Sequence, residues 1–124
     1  MKKVIFVDDS KAILFTIEEA VEQFVENGQI EATFFDNPEK AIEDIKSGNV
    51  PDLIFTDINM PEMTGYEMIK VLRGEGVTCP VIALTTEKTK EQKEKGKEVG
   101  MNAWLVKPFT EDKIQGMISK VFGI

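Results

Sequence analysis

The segment LIFTDINMP, residues 53–61, places one carboxylate at the end of an apolar run. The run from Leu53 to Thr56 lacks polar alternation, which is typical of a strand covered on both faces in a parallel sheet. Asp57 follows at once, and the chain then turns away through Met60-Pro61 and Thr64-Gly65. Because an isolated buried carboxylate is costly, its position at the end of a buried strand indicates a functional role.

Four more apolar runs alternate with segments of helical period. They cover Val4 to Val7, Ala32 to Phe35, Val81 to Leu84 and Ala103 to Val106. Strands that alternate regularly with helices predict a parallel sheet, and no linker or repeat divides the chain. We therefore predict an α/β fold in a single domain that spans residues 1–124.

Four of the expected helices carry start or stop signals. These signals are Asn27-Gly28 after the first helix, Asn37-Pro38 and Gly48 around the second, a Thr64/Glu67 capping box with Gly74 and Gly76 for the third, and Thr110 before the last. The apolar stripe predicted for the last helix consists of Ile114, Met117, Ile118 and Val121.

The remaining helix, about Lys88 to Val99, has almost no apolar residues. A stripe at helical spacing would consist of Thr89, Gln92, Gly96 and Val99. The helix is either an ordinary solvated element or a weakly held one that can shift during function. Gly96 favours the second interpretation, because glycine destabilises a helix by about 1 kcal/mol relative to alanine.

Composition excludes several classes of function. The net charge of −7 argues against nucleic acid or an anionic membrane as the main partner. With one cysteine and no histidine, disulfide frameworks, Cys/His zinc sites and histidine-based catalysis are excluded. No apolar run approaches the roughly 20 residues needed to span a bilayer, and the start does not look secretory, so we expect a cytoplasmic protein.

Polar side chains follow four of the five expected strands. They are Asp8 and Asp9 after the first, Asp57 after the third, Thr85 and Thr86 after the fourth, and Lys107 after the fifth. Since the carboxyl ends of parallel strands meet at one edge of the sheet, these groups should share a site. Three clustered carboxylates predict a hard divalent cation such as Mg²⁺. Asp57 could then attack phosphorus, with Lys107 and a threonine hydroxyl neutralising the transferred oxygens.

The whole chain resembles the receiver domains of two-component response regulators, and in particular the CheY-like chemotaxis group. The resemblance rests on the acidic residues above and on the runs LTTE at 84–87, KGK at 95–97 and WLVKPF at 104–109. It implies a doubly wound, flavodoxin-like (βα)5 fold with a five-stranded sheet of order 2-1-3-4-5.

The resemblance also implies a role for each site residue. Asp57 would be the phosphoacceptor, Lys107 would pair with the phosphoryl group, and Thr85 would supply the switch hydroxyl. Mg²⁺ would be held by Asp8, Asp9, Asp57 and the backbone carbonyl of Asn59, and the Lys107-Pro108 bond would be cis. Trp104 would be the switch aromatic that follows Thr85. Asn59, Thr86 and Glu87 occupy positions that tune dephosphorylation, and Thr86 departs from the small residue that is frequent there.

By the same resemblance, a sensor histidine kinase of the CheA type would phosphorylate the protein. Phosphorylation would reset the face formed by helix 4, strand 5 and helix 5, which would then bind a protein target, with the flagellar motor switch as the leading candidate. Since no effector domain follows Ile124, we expect the output to be binding of another protein. We also expect a monomer, with a phosphatase as a further possible partner.

Three alternatives remain open at this point. The chain could be a phosphate sink or phosphorelay intermediate without a motor target, or a phosphorylation-independent scaffold, although all the site residues are present. It could also be an aspartyl-phosphate phosphohydrolase of the haloacid dehalogenase type. That family has a second aspartate two residues after its nucleophile, where this chain has Asn59, so we expect a signalling receiver rather than an enzyme with a separate substrate.

Overall fold

The computed structural model describes residues 1–86 and 89–124, and these form five strands and five helices. The strands are β1 (Lys2–Val7), β2 (Ile30–Phe35), β3 (Leu53–Asp57), β4 (Val81–Thr85) and β5 (Ala103–Val106). The helices are α1 (Lys11–Glu26), α2 (Pro38–Lys46), α3 (Gly65–Gly74), α4 (Lys90–Val99) and α5 (Glu111–Phe122).

All four strand pairs are parallel, and the strands lie side by side in the order β2-β1-β3-β4-β5. The predicted flavodoxin-like topology is therefore confirmed. The order reverses between β1 and β3: β2 lies on one side of β1, whereas β3, β4 and β5 follow on the other side. In open α/β sheets the crevice at such a reversal is where ligands bind.

Alternation along the strands gives the sheet two separate hydrophobic cores. On β1, Val4 and Phe6 pack with α1 and α5, whereas Ile5 and Val7 pack with α2, α3 and the loops around α4. The ring of Phe6 stacks between two other aromatic rings, with both centroids 5.1 Å away. Burial on both faces explains why these strands read as continuous apolar runs.

Most of the predicted helix signals have the expected local geometry. Asn37 accepts hydrogen bonds from the backbone at the start of α2, and Thr64 and Glu67 form a reciprocal capping box on α3. Two details were wrong. Val121 is 38% exposed and not part of the buried stripe of α5, and Thr89 is the N-cap of α4, where its hydroxyl accepts from Gln92 N.

Gly96 has a packing role in the structure that the sequence did not predict. Within the described helix Lys90–Val99, Gly96 is the only fully buried residue. A Cβ atom built there would lie 2.7 Å from Trp104 Cζ2 and 3.3 Å from Met101 Sδ. The glycine is therefore needed for close packing against the indole ring, in addition to lowering the intrinsic stability of the helix. The predicted start of α4 at Lys88 lies outside the described residues.

Among the residues described, no helix combines the length and the apolar character that crossing a membrane would require.

Candidate functional site

The site lies at the carboxyl edge of the sheet, where the strand order reverses. Val7 on β1 is in register with Thr56 on β3, so the residues that follow them, Asp8 and Asp57, reach the crevice side by side. Both carboxylates are buried, whereas Asp9 is exposed. Topology alone therefore brings together acids that are far apart in the sequence.

Lys107 connects the two buried carboxylates. Its Nζ lies 2.8 Å from Asp8 Oδ2 and 3.3 Å from Asp57 Oδ1. The backbone N–H of Lys107 donates to the carbonyl of Thr85 at 2.7 Å, which sets the lysine next to the end of β4. The Lys107–Pro108 peptide bond is cis, as the family resemblance implied.

The donor set fits a divalent cation. Asp8, Asp9 and Asp57 each offer a carboxylate oxygen, and these oxygens lie within 4.8 Å of one another. Asp8 Oδ2 is buried and near the Lys107 ammonium, yet within the described part of the chain it accepts no hydrogen bond of acceptable geometry. Mg²⁺ usually takes one or two carboxylate oxygens from a protein and retains several waters, so this cluster offers enough ligands for it.

The electrostatics of the site make the ionised form of Asp57 less favourable than it would be in water. Burial and the nearby Asp8 carboxylate raise the pKa of Asp57 to about 6, and Lys107 opposes them only in part. For Lys107, burial lowers the pKa, but the contacts with Asp8 and Asp57 outweigh it, so its pKa rises above the ordinary value. The lysine is therefore charged at neutral pH, and the negative charge on Asp57 is costly unless a cation compensates it.

The raised pKa of Asp57 predicts how stability depends on pH in the presence of a chelator. Between the ordinary value of 3.8 and about 6, the folded protein binds a proton at Asp57 that the unfolded chain has released. The protonated Asp57 carboxyl therefore makes its full contribution to the free energy of unfolding below pH 3.8. This contribution is lost as the pH rises through about 6.

Across this pH range, we expect the unfolding free energy to fall by on the order of 2 kcal/mol relative to Asp57→Asn. Urea denaturation of both proteins at each pH measures the difference. Parallel pH profiles of the two proteins would contradict the raised pKa of Asp57.

Backbone groups that sequence reasoning missed hold Asp57 in place. The N–H of Ile58 donates to Asp57 Oδ1 at 2.9 Å, and the Thr56 hydroxyl donates to the Asp57 carbonyl at 2.9 Å. Gly65 approaches that same carbonyl so closely that a Cβ atom would overlap it. The only signal for this approach was a glycine at the first position of a helix, where larger residues are better helix formers.

The predicted switch residue Thr85 is buried at the end of β4, and its hydroxyl donates toward Gln92 Oε1 of α4 at 3.5 Å. Thr86 is exposed in the bend that follows, and Glu87 lies outside the described residues. Asn59 is exposed and, with Ile58, Tyr66 and Gln92 among others, lines a cavity of about 410 Å³ between the β3–α3 loop and α4. The contact between the Gln92 side chain and Thr85 was not predicted from the sequence.

The predicted switch aromatic Trp104 is half-buried on the side of the sheet that carries α4. Neighbouring Ala103 and Leu105 pack on the opposite face with α5. The structure therefore brings Asp8, Asp9, Asp57 and Lys107 together in one cluster. Thr85 and Trp104 also contact α4, Thr85 through the side chain of Gln92 and Trp104 through Gly96.

The known proteins that resemble this chain include a chemotaxis protein of similar length and longer regulatory and sensor proteins. The chemotaxis protein CheY of Pseudomonas aeruginosa is 30% identical over 122 residues, which are 97% of this chain and 95% of that protein. The transcriptional regulatory protein CiaR of Streptococcus pneumoniae is 30% identical over 115 residues. The chain spans 49% of CiaR and 6% of the sensor protein EvgS of Escherichia coli.

Solved structures and a family model agree with these relatives. The chemotaxis response regulator CheY4 of Vibrio cholerae superposes with a TM-score of 0.86 at 32% identity and covers 98% of both chains. The model of the response regulator receiver domain matches residues 4–119. Receiver domains are signalling modules that bind Mg²⁺ at an acidic pocket. This chain, with its Asp8, Asp9 and Asp57 cluster, belongs to the response regulator receiver domain family and is CheY-like.

Proposed function

We propose that this chain is a cytoplasmic response regulator of a two-component system that a sensor histidine kinase phosphorylates on Asp57. The observation that carries the proposal is the Lys107 ammonium between Asp8 and Asp57, 2.8 Å from one carboxylate and 3.3 Å from the other. A cation so placed can neutralise the oxygens of a transferred phosphoryl group. The protein catalyses only its own phosphorylation and dephosphorylation.

The geometry favours Asp57 Oδ2 as the attacking atom. Oδ1 accepts from Ile58 N–H and pairs with Lys107, which leaves Oδ2 for attack. A new O–P bond forms as the P–N bond of the kinase phosphohistidine breaks, and the released imidazole nitrogen takes a proton from solvent. The product is an aspartyl phosphate that water can hydrolyse.

Asp8, Asp9 and Asp57, together with the Asn59 carbonyl, would hold Mg²⁺. When bound, the ion supplies positive charge that offsets the repulsion between the carboxylates and the incoming phosphoryl oxygens. Lys107 pairs with the phosphoryl group after transfer, and the Thr85 hydroxyl turns toward it. Asn59, Thr86 and Glu87 would set the rate of hydrolysis.

The output is a change in the face formed by α4, β5 and α5. Movement of Thr85 removes a contact from α4, and Trp104 follows because it packs directly under that helix. The reset face then binds a protein target, for which the flagellar motor switch is the leading candidate because the CheY relatives match over nearly their whole length.

Incubation with a small phosphodonor and Mg²⁺ tests the proposal. We expect intact-mass spectrometry to show one added phosphoryl group, and peptide mapping to place it on Asp57. Labelling that needs no Mg²⁺, or no labelling with any donor, would contradict the proposed phosphoacceptor function.

We also expect Mg²⁺ to stabilise the folded protein. Because the carboxylate cluster exists only in the folded state, a tenfold excess over the dissociation constant should add about 1.4 kcal/mol. Thermal melting with Mg²⁺ and with chelator measures the shift. Asp9→Asn should reduce it, whereas the matched control Asp112→Asn, an exposed acid in the first turn of α5, should leave it unchanged. An equal shift in all three proteins would place Mg²⁺ elsewhere.

A phosphate sink or phosphorelay intermediate is the alternative to a motor regulator. The match to the sensor protein EvgS favours it, because 70 residues of this chain are 39% identical to a segment of that sensor. Binding of the motor switch protein, measured with and without a phosphoryl mimic, separates the two functions. Binding that increases with the mimic supports the motor regulator, and its absence supports the sink.

A further inference from the structure

Helix α4 is held to the sheet by few side chains. Of the residues in Lys90–Val99, Gly96 is buried against Trp104, Val99 packs against the core on that side of the sheet, and Gln92 makes the described hydrogen bonds to Tyr66 and Thr85. The charged residues that make up most of the helix contribute little, since the Glu91–Lys95 ion pair is solvent-exposed. The position of the helix therefore depends on these few contacts.

Beyond its bond to the N-cap Thr89, Gln92 makes two described hydrogen bonds to residues outside α4, and they are of different kinds. Its backbone carbonyl accepts from the Tyr66 hydroxyl at 3.3 Å, whereas its side-chain Oε1 accepts from the Thr85 hydroxyl at 3.5 Å. The first contact survives any change of the Gln92 side chain, and the second does not. The side chain thus connects the helix directly to the predicted switch residue.

The Thr85 hydroxyl has one hydrogen, which it can donate to one strong acceptor at a time. We propose that Gln92 is a positioning residue that competes with the phosphoryl group for the Thr85 hydroxyl and releases α4 when it loses that competition. This inference rests on the proposed function, since it names the contact that phosphorylation must break. The 3.5 Å distance is long for a hydrogen bond between oxygens, so the competition is weak and readily reversed.

Amide hydrogen exchange tests the contact without any phosphorylation. In Gln92→Met, which keeps the length of the side chain but loses its acceptor, exchange in α4 should accelerate by about threefold. Thr85→Val should have a similar effect, and the double variant should exchange no faster than either single variant. Additive acceleration in the double variant would contradict a hydrogen bond between the Thr85 and Gln92 side chains.

Binding of beryllium trifluoride with Mg²⁺, measured by calorimetry, tests the competition. Gln92→Met should bind this phosphoryl mimic about threefold more tightly than the unmodified protein, because one acceptor that competes with the mimic for the Thr85 hydroxyl has been removed. Tyr66→Phe is the matched control. It removes the other contact of Gln92, so it should accelerate exchange in α4 but leave mimic affinity unchanged.

The outcomes separate this inference from the proposed function. If the unmodified protein fails to bind the mimic, the phosphoacceptor function fails, and with it the competition, whatever the exchange rates are. If the unmodified protein binds the mimic and Gln92→Met binds it with equal affinity, only the role of Gln92 is overturned. Tighter binding by Tyr66→Phe as well would mean that loosening α4 by any route is sufficient, which also overturns the specific competition for Thr85.

Discussion

Asp57→Asn is expected to abolish phosphoryl labelling by a small phosphodonor, with no residual signal above background. An amide oxygen is a far weaker nucleophile than a carboxylate, and the other carboxylates of the cluster are not equivalent to Asp57. Asp8 is buried in an ion pair with Lys107, and Asp9 is exposed at the edge of the crevice. Intact-mass spectrometry after incubation with Mg²⁺ measures the loss.

The same substitution should stabilise the protein near pH 7 in chelator. The raised pKa of Asp57 means that its negative charge is unfavourable in the folded state, and asparagine removes that charge with little change in shape. Asp57→Asn should therefore be folded, which excludes unfolding as the cause of lost labelling. Asp112→Asn controls for the change in net charge and should be labelled normally. Equal labelling of Asp57→Asn would identify a different phosphoacceptor.

Gly65→Ala is expected to destabilise the protein by about 3 kcal/mol, which is large for the addition of one methyl group. The new Cβ atom would overlap the backbone carbonyl of Asp57 and approach Ile58 Cα to 3.1 Å. Backbone atoms cannot rotate away as a side chain could. The N–H of Gly65 also donates to the Ile58 carbonyl at 2.8 Å, so the helix cannot retreat without breaking that bond.

Gly74→Ala is the matched control, because Gly74 is the last residue of the same helix and a Cβ atom there would have no atom of the described residues within 4 Å. Alanine at Gly74 should be neutral or should stabilise by up to about 1 kcal/mol through its higher helix propensity. Urea denaturation measures both variants. Gly65→Ala should also be labelled more slowly by the phosphodonor, since the displaced carbonyl belongs to the phosphoacceptor. Similar stability of the two variants would contradict the close approach at Gly65.

The secondary-structure elements of this chain and the members of its acidic cluster were largely predictable from its sequence. Strands buried on both faces, such as Leu53–Asp57, appear as continuous apolar runs, and helix ends such as Asn37-Pro38 depend on hydrogen bonds between residues close in sequence. The cluster of Asp8, Asp9, Asp57 and Lys107 was predictable because the carboxyl ends of parallel strands share one edge of the sheet. These predictions needed only local rules and the topology of parallel strands.

Close contacts between distant residues were not predictable in this way. Gly96 seemed to be only a weak point in a polar helix, whereas the structure shows that a side chain there would meet Trp104. Gln92 was assigned to an inward stripe, but nothing in its sequence position indicated that its side chain reaches Thr85. Glycines 65 and 74 are both ordinary glycines of one helix in the sequence, yet only Gly65 touches the backbone of another element.

The sequence by itself therefore determined which residues form strands and helices and which polar residues follow the strands, because those properties follow from hydrophobic periodicity and residue type. Only the tertiary structure decided which atoms lie within contact distance, and hence which glycines cannot be replaced and which side chain holds the Thr85 hydroxyl. The physical reason is that hydrogen bonding and steric overlap change over a few tenths of an ångström. Distances of that precision are set by how α4 and the start of α3 pack on the sheet.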